Sequence, residues 1–292
     1  MASPEFSYLI FDVESIADGD LIAKVRYPGE TLTPKEAVEK YRQELIAKWG
    51  SEFIPYTFHI PISVTIGKVS SNFELIEMKS LDEPDYDPFQ IVRKFWKGWQ
   101  LFKQPTLVTF NGRTFDIPLL ELSAFRFGID VSEWLGEKKI SYEKPRHRFN
   151  QQAHLDLQEV LTNFSATRFN GGLNLAAMLL GKPGKMGIAG HMVQDLYDRG
   201  ELKSINDYCQ CDVLDTYFVF LRYKVMSGEI TIEREQEIVA QTLDWLEARS
   251  DEEPVYKEYL AGCTEWPNPW SQKTDVATPE NAETSEAAES GS

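Results

Sequence analysis

A short apolar run, Ser7 to Val13, ends in two acids, Asp12 and Glu14, and predicts a buried strand. Ile62 to Val69 alternates between apolar and polar positions, and Asn72 to Lys79 alternates again, with Ser70 and Ser71 between them as a hairpin turn. Asp87-Pro88 predicts the start of a helix that runs to about Phe102, with Asp87 as N-cap and Pro88 at the first helical position. Pro105 to Phe110 predicts another strand, and Ile117 to Phe127 a helix ended by Gly128. Asp156 follows a short apolar patch and precedes a helix; Lys203 to Met226 reads as a long helix and Ile232 to Ala248 as an amphipathic one. This order predicts an α/β fold in which a mixed central sheet is flanked by helices. Ser15 to Pro61 interrupts it as an insertion after the first strand. The insertion holds a turn at Pro28-Gly29, a helical stretch from Thr33 to Trp49 and the aromatic residues Tyr56, Phe58 and His59. It reads either as a lid near the first acidic pair or as a surface elaboration.

Composition changes this picture in three ways. The length of 292 residues suits one large domain with insertions or two small ones. The net charge of −16 is opposite to that of a generic nucleic-acid binder, which is usually basic. Residues 271–292 hold −4 of it, which leaves −12 elsewhere. Residues 263–292, introduced by Pro267 and Pro269 and rich in Ser, Thr, Ala and Glu, read as a disordered acidic tail, and Met1 to Phe6 as a short leader. Three cysteines in no framework argue against a secreted disulfide scaffold, and Cys209-x-Cys211 has poor zinc spacing. No apolar run reaches membrane-spanning length and no signal segment is visible, so the cytoplasm is the expected compartment.

Carboxylates recur where strands end or on one helix face. Asp12 and Glu14 are two apart on a strand, so both point the same way. Asp116 stands at a helix start, where a cap is the plain reading. Its setting, Asn111-Gly112 followed by Phe115-Asp116 and Pro118, is more specific than a cap needs. Tyr208 and Asp212 are i and i+4 on a helix and share a face, with Asp215 close to it. Spacing does not choose between the two aspartates, and Tyr208 packed in the core with both aspartates solvated fits it equally. His154 beside Asp156 reads as structural or as an acid/base pair. Acids clustered without basic partners repel one another, and a bound cation is the usual remedy.

With these motifs in order, Ser7 to Arg222 resembles the 3′–5′ exonuclease family with four metal-binding acids, in its tyrosine-containing (DEDDy) subgroup. It is most similar to the stand-alone bacterial branch akin to the proofreading domain of family B DNA polymerases. His154 to Leu157, Leu173 to Gly184 and Tyr197 to Gly200 also resemble this branch, whereas Ser123 and His191 depart from it. The resemblance implies an RNase H-like fold over a single exonuclease domain, residues 1–262. It also implies two divalent ions, Mg²⁺ or Mn²⁺, about 3.5–4 Å apart. Asp12 would bridge both ions, Glu14 and Asp212 would hold the one that activates water, and Asp116 would reach the second. Asp215 is left out by resemblance alone. Tyr208, a poor base with an ordinary phenol pKa of about 10, would orient the attacking water. The implied substrate is the 3′ end of single-stranded nucleic acid, DNA before RNA, released as nucleoside 5′-monophosphates. Candidate substrate contacts are Asn111, Arg113 and Phe115 in the second motif, and Lys144, Arg146 and Arg148 in a basic stretch that begins at Lys138. Lys182 and Lys185 in a glycine-rich loop also suit phosphate, and Phe110, Phe115 and Tyr56 suit base stacking. Trp96 and Trp99 have core spacing. The competing functions are a non-catalytic nucleic-acid or partner-binding module with this fold, and a phosphodiesterase for short oligonucleotides.

Overall fold

The first apolar run forms β1 (Phe6–Ala17), the central strand of a five-stranded sheet, in a computed structural model that describes residues 6–187 and 190–270. Its partners are β2 (His59–Ser70) and β3 (Leu75–Ser80) on one side, and β4 (Thr106–Thr109) and β5 (His154–Asp156) on the other, in the order β3-β2-β1-β4-β5. β2 runs antiparallel to β1 and to β3, whereas β1, β4 and β5 are mutually parallel. The expected mixed sheet, with an insertion after its first strand, is therefore present.

β1 reaches beyond the apolar run that predicts it. Ile16 and Ala17 are buried and pair with Ile60 and His59, so the strand continues through the acids instead of ending at them. The segment between β1 and β2 is accordingly 18–58. It contains α1 (Gly19–Arg26) and α2 (Pro34–Trp49), and only the second is visible as a pattern. Thr33 and Glu36 close a reciprocal capping box at the start of α2. Ala17, Ile22, Tyr27, Val38, Tyr41 and Ile54 give the insertion a small core of its own.

Alternate residues of β1 serve opposite layers. Leu9, Phe11 and Val13 pack against α3 (Pro88–Leu101) and α4 (Asp116–Phe127), together with Trp96, Trp99 and Trp134 of α5 (Ser132–Leu135). Asp87 caps α3 through the Gln90 N–H, and the indoles of Trp96 and Trp99 donate to the carbonyls of Leu120 and Pro105. Gly128 ends α4 in the left-handed conformation. Ile10 faces the other layer. There α6 (Leu157–Leu161), α7 (Gly172–Met178) and α8 (Val193–Asp198) precede the long α9 (Leu202–Met226). α10 (Ile232–Glu247) and α11 (Pro254–Gly262) cover the outer side of α9, which is why that helix is buried nearly all round.

Two expectations need adjustment at their edges. β3 starts at Leu75 because Phe73 takes φ +68° and turns its ring inward against Tyr8 and Phe220. The stretch read as the start of a tail is anchored. The Thr264 N–H donates to Gly181 O, and the Arg222 guanidinium lies 4.0 Å over the Trp266 ring. Phe6 belongs to β1, not to a leader; residues 1–5 and the acidic stretch 271–292 lie outside the described residues. Among the described residues no helix is long and apolar enough to cross a membrane.

Candidate active site

Parallel pairing brings the C-terminal ends of β1, β4 and β5 to one edge of the sheet, the usual place for a ligand crevice in open α/β sheets. Asp12 and Glu14 lie on the β1 face that meets α9. A register shift between Glu14 and Ser15 against β2 follows directly, a bulge of the kind that re-aims side chains. After β4 the chain turns through Asn111, at φ +67°, and Gly112, where a Cβ would come within 2.6 Å of the Thr109 side chain.

Asp156 fastens this turn. Its carboxylate accepts the backbone N–H of Asn111 and of Arg113, both at 2.9 Å, and caps α6 through Gln158 at 3.0 Å. Below it, His154 Nε2 meets Thr109 Oγ1 at 2.8 Å, and burial drives the imidazole pKa well down, so this histidine is a neutral structural partner. Asp156→Ala leaves buried N–H groups without an acceptor. We expect it to cost about 3 kcal/mol in urea unfolding, and to release the turn that leads to Asp116.

Asp116 is the first residue of α4, not its cap: the capping position is Phe115, without a side-chain cap bond. Its carboxyl is turned into the crevice and is almost fully buried. α9 supplies Asp212 and Tyr208 from one face. Oxygens of Asp12, Glu14 and Asp212 lie within 4.8 Å of one another, and the charge of Asp116 acts on both Asp12 and Glu14. Burial raises the pKa of all four acids, with mutual repulsion contributing to each. Cys209 Sγ lies 3.6 Å from Asp12 Oδ2 and favours its ionised form, and Lys185 favours the ionised forms of Glu14 and Asp212. The Tyr208 phenol donates to Asp212; burial and the surrounding acids push its pKa up, so it stays protonated. Tyr208 also packs against Ile16, Ile62 and Val193, which joins the core reading to the site reading. Asp215 lies elsewhere: fully buried, it accepts the Tyr259 hydroxyl at 2.6 Å.

The crevice has a volume of about 700 Å³ and is lined by Asp12, Glu14, Asp116 and Tyr208, with Asn111 and Phe115 at its wall. The predicted basic contacts are placed differently. Arg113 pairs with Glu159 at 2.8 Å and donates to His154 O, Arg148 pairs with Glu159, and Arg146 forks onto Glu121. These three arginines line a separate hollow, and Lys144 pairs with Glu137. Of the aromatic candidates, Phe110 packs on Phe169 and Tyr56 against the α3–α4 core, which leaves Phe115 facing the crevice. Lys182 is buried over the Phe218 ring, Ser123 is buried in α4, and the His191 side chain lies outside the described residues. Phe53, His59 and Arg42 also line the crevice. They escape sequence reading because only the folded insertion brings them there.

An all-oxygen donor set of converging carboxylates suits a hard divalent cation. The protonation that burial forces on these acids is what such an ion would relieve, so the residues present fit that cofactor.

Residues 51–263 match a family model described as a predicted 3′–5′ exonuclease related to the exonuclease domain of PolB. The matched range contains Asp116, Tyr208 and Asp212, and β1 with Asp12 and Glu14 precedes it. No curated protein matches the chain. Among solved structures, it is similar to the family B DNA polymerase from the hyperthermophilic archaeon Pyrobaculum calidifontis, at 15% identity and a TM-score of 0.47, over 76% of this chain and 25% of that one. The chain thus spans about a quarter of that polymerase. By the family match, the protein belongs to the predicted 3′–5′ exonucleases related to the exonuclease domain of PolB.

Proposed function

We propose that the protein is a metal-dependent 3′–5′ exonuclease of the DEDDy type, acting on single-stranded nucleic acid, DNA before RNA. The observation that carries this reading is the convergence of Asp12, Glu14 and Asp212, whose oxygens lie within 4.8 Å of one another, beside Asp116 in the crevice wall, with the Tyr208 phenol directed at Asp212. The four carboxylates would hold two divalent ions, Mg²⁺ or Mn²⁺, whose chemistry when bound is to activate water and offset the charge of the phosphodiester. Tyr208 remains protonated and acts as a donor that positions water, not as the base. Lys185 supplies positive charge beside Glu14 and Asp212. Phe115 and Asn111 shape the wall against which the terminal nucleotide would rest.

The test is incubation of the purified protein with 5′-labelled and 3′-labelled single-stranded DNA and RNA, with and without Mn²⁺. The 5′ label should appear in a ladder of shortening strands and the 3′ label as a mononucleotide, both only with metal. Intact polymer under all conditions sinks this reading. In the same assay Tyr208→Phe should lower kcat by about 10²-fold, the loss expected when a reactant is misplaced by about 1 Å, with little change in KM. A tyrosine that served only to pack would leave kcat near wild type.

A further inference from the structure

The insertion between β1 and β2 brings two features to the crevice that the carboxylate site does not use. The first is Phe53, which is 61% exposed although it lines the acidic crevice. Its ring lies 6.0 Å from Phe115 and 6.2 Å from His59, and those two meet edge to face at 5.7 Å. The His59 ring is fixed at both nitrogens, Nδ1 to Ser15 Oγ at 2.9 Å and Nε2 to Ile54 O at 3.1 Å. Phe53 is thus backed by a rigid aromatic pair while most of its own surface faces solvent.

The second feature is Arg42 on α2. Cations around it are matched: Arg26 with Glu44, Lys40 with Glu30, Arg126 with Asp18, and Lys35 with Asp198. Arg42 has no ion pair or hydrogen bond among the described residues. It lines both the acidic crevice and a larger neighbouring groove of about 1120 Å³ that runs between α2 and α8, so the two hollows meet at its side chain. On a protein of net charge −16, a cation without an acidic partner at such a junction suits an anionic ligand.

We propose that the insertion is the strand-holding arm of the site: Phe53 stacks on the base at the 3′ end, and Arg42 takes a phosphate upstream of it. The occupant is a single strand, because stacking needs an unpaired base. This inference rests on the exonuclease reading and deepens it.

The experiment is fluorescence anisotropy of 5′-fluorescein single-stranded DNA and RNA against the full chain in Ca²⁺, across a salt series, with the labelled-strand cleavage assay in parallel. Phe53→Ala should weaken binding by about 5- to 150-fold, the range for losing one base-on-aromatic stack, and Phe53→Trp should restore it. Arg42→Ala should reduce the slope of log K against log salt by about 0.7, the value for one phosphate contact on a single strand. Trp49→Ala and Arg26→Ala, on neighbouring surface outside the crevice, should match wild type. Losses on both polymers, or on one that then identifies the sugar accepted, support the arm. Wild-type affinity in Phe53→Ala and Arg42→Ala, in a protein that binds and cleaves, overturns the arm and leaves the exonuclease reading standing. A wild type that neither binds nor shortens either polymer overturns both.

Discussion

Asp12→Ala and Asp212→Ala should each lower the rate of strand shortening by about 10³-fold or more, the scale of losing electrostatic stabilisation at a reacting phosphate. The two residues come from β1 and α9, about 200 residues apart, and contribute oxygens to one cluster. On the proposed reading, each truncation would take one carboxylate from the set that holds the ions. Asp215→Ala is the informative contrast. It lies on the same helix, one turn away, but its carboxylate serves the Tyr259 hydroxyl. That variant should keep its turnover and lose about 1–3 kcal/mol of stability, because a buried hydroxyl is left without an acceptor. Steady-state rates and urea denaturation on the three variants separate the roles. An active Asp212→Ala beside an inactive Asp215→Ala would reverse the assignment.

Removal of divalent ions should lower the melting temperature, and more so as pH rises. The sign follows from the raised carboxyl pKa values of Asp12, Glu14, Asp116 and Asp212. Unfolded, these groups titrate near pH 4; folded without metal, they hold their protons to higher pH. Above about pH 4 the native state therefore binds more protons than the unfolded chain, and stability falls as pH rises through the folded pKa values. Metal requires the ionised ligands, so its affinity moves the opposite way. An ion at a hundred times its Kd adds about 2.7 kcal/mol, or about 4–5 °C for a chain of this size. His59 acts in the reverse sense. Burial lowers its pKa to about 4, so stability gained from the neutral ring is lost as pH falls from about 6.5 towards 4. Scanning calorimetry above pH 7, with and without Mg²⁺ or Mn²⁺, avoids that window. Metal-free Asp212→Asn should melt higher than metal-free wild type and gain less from the ion. A melting temperature indifferent to ion and pH would contradict the electrostatic account.

Local signals were readable in the chain before folding. The Asp87-Pro88 helix start, the Tyr208–Asp212 spacing and the acids of the first strand each depend on neighbours a few residues away, and the order of strands and helices along the chain follows from such signals. Features made by distant contacts were not readable. Arg113, Arg146 and Arg148 look free in sequence, and only the fold sets them against Glu159 and Glu121. Asp156 reads as a helix start, but its reach to Asn111 spans 45 residues. Cys209 gives no sign that its thiol lies against Asp12, 197 residues away. Phe53 and Arg42 belong to an insertion whose placement is settled by its own small core.

The distance between β1 and α9 along the chain has a consequence for synthesis. A ribosome makes Asp12 and Glu14 first and must finish about 200 more residues before Asp212 emerges to join them. Until α9 docks on β1, the cluster of Asp12, Glu14 and Asp116 lacks Asp212 and Tyr208. A chain that stops short of α9 therefore carries only part of the carboxylate set, whatever the state of β1.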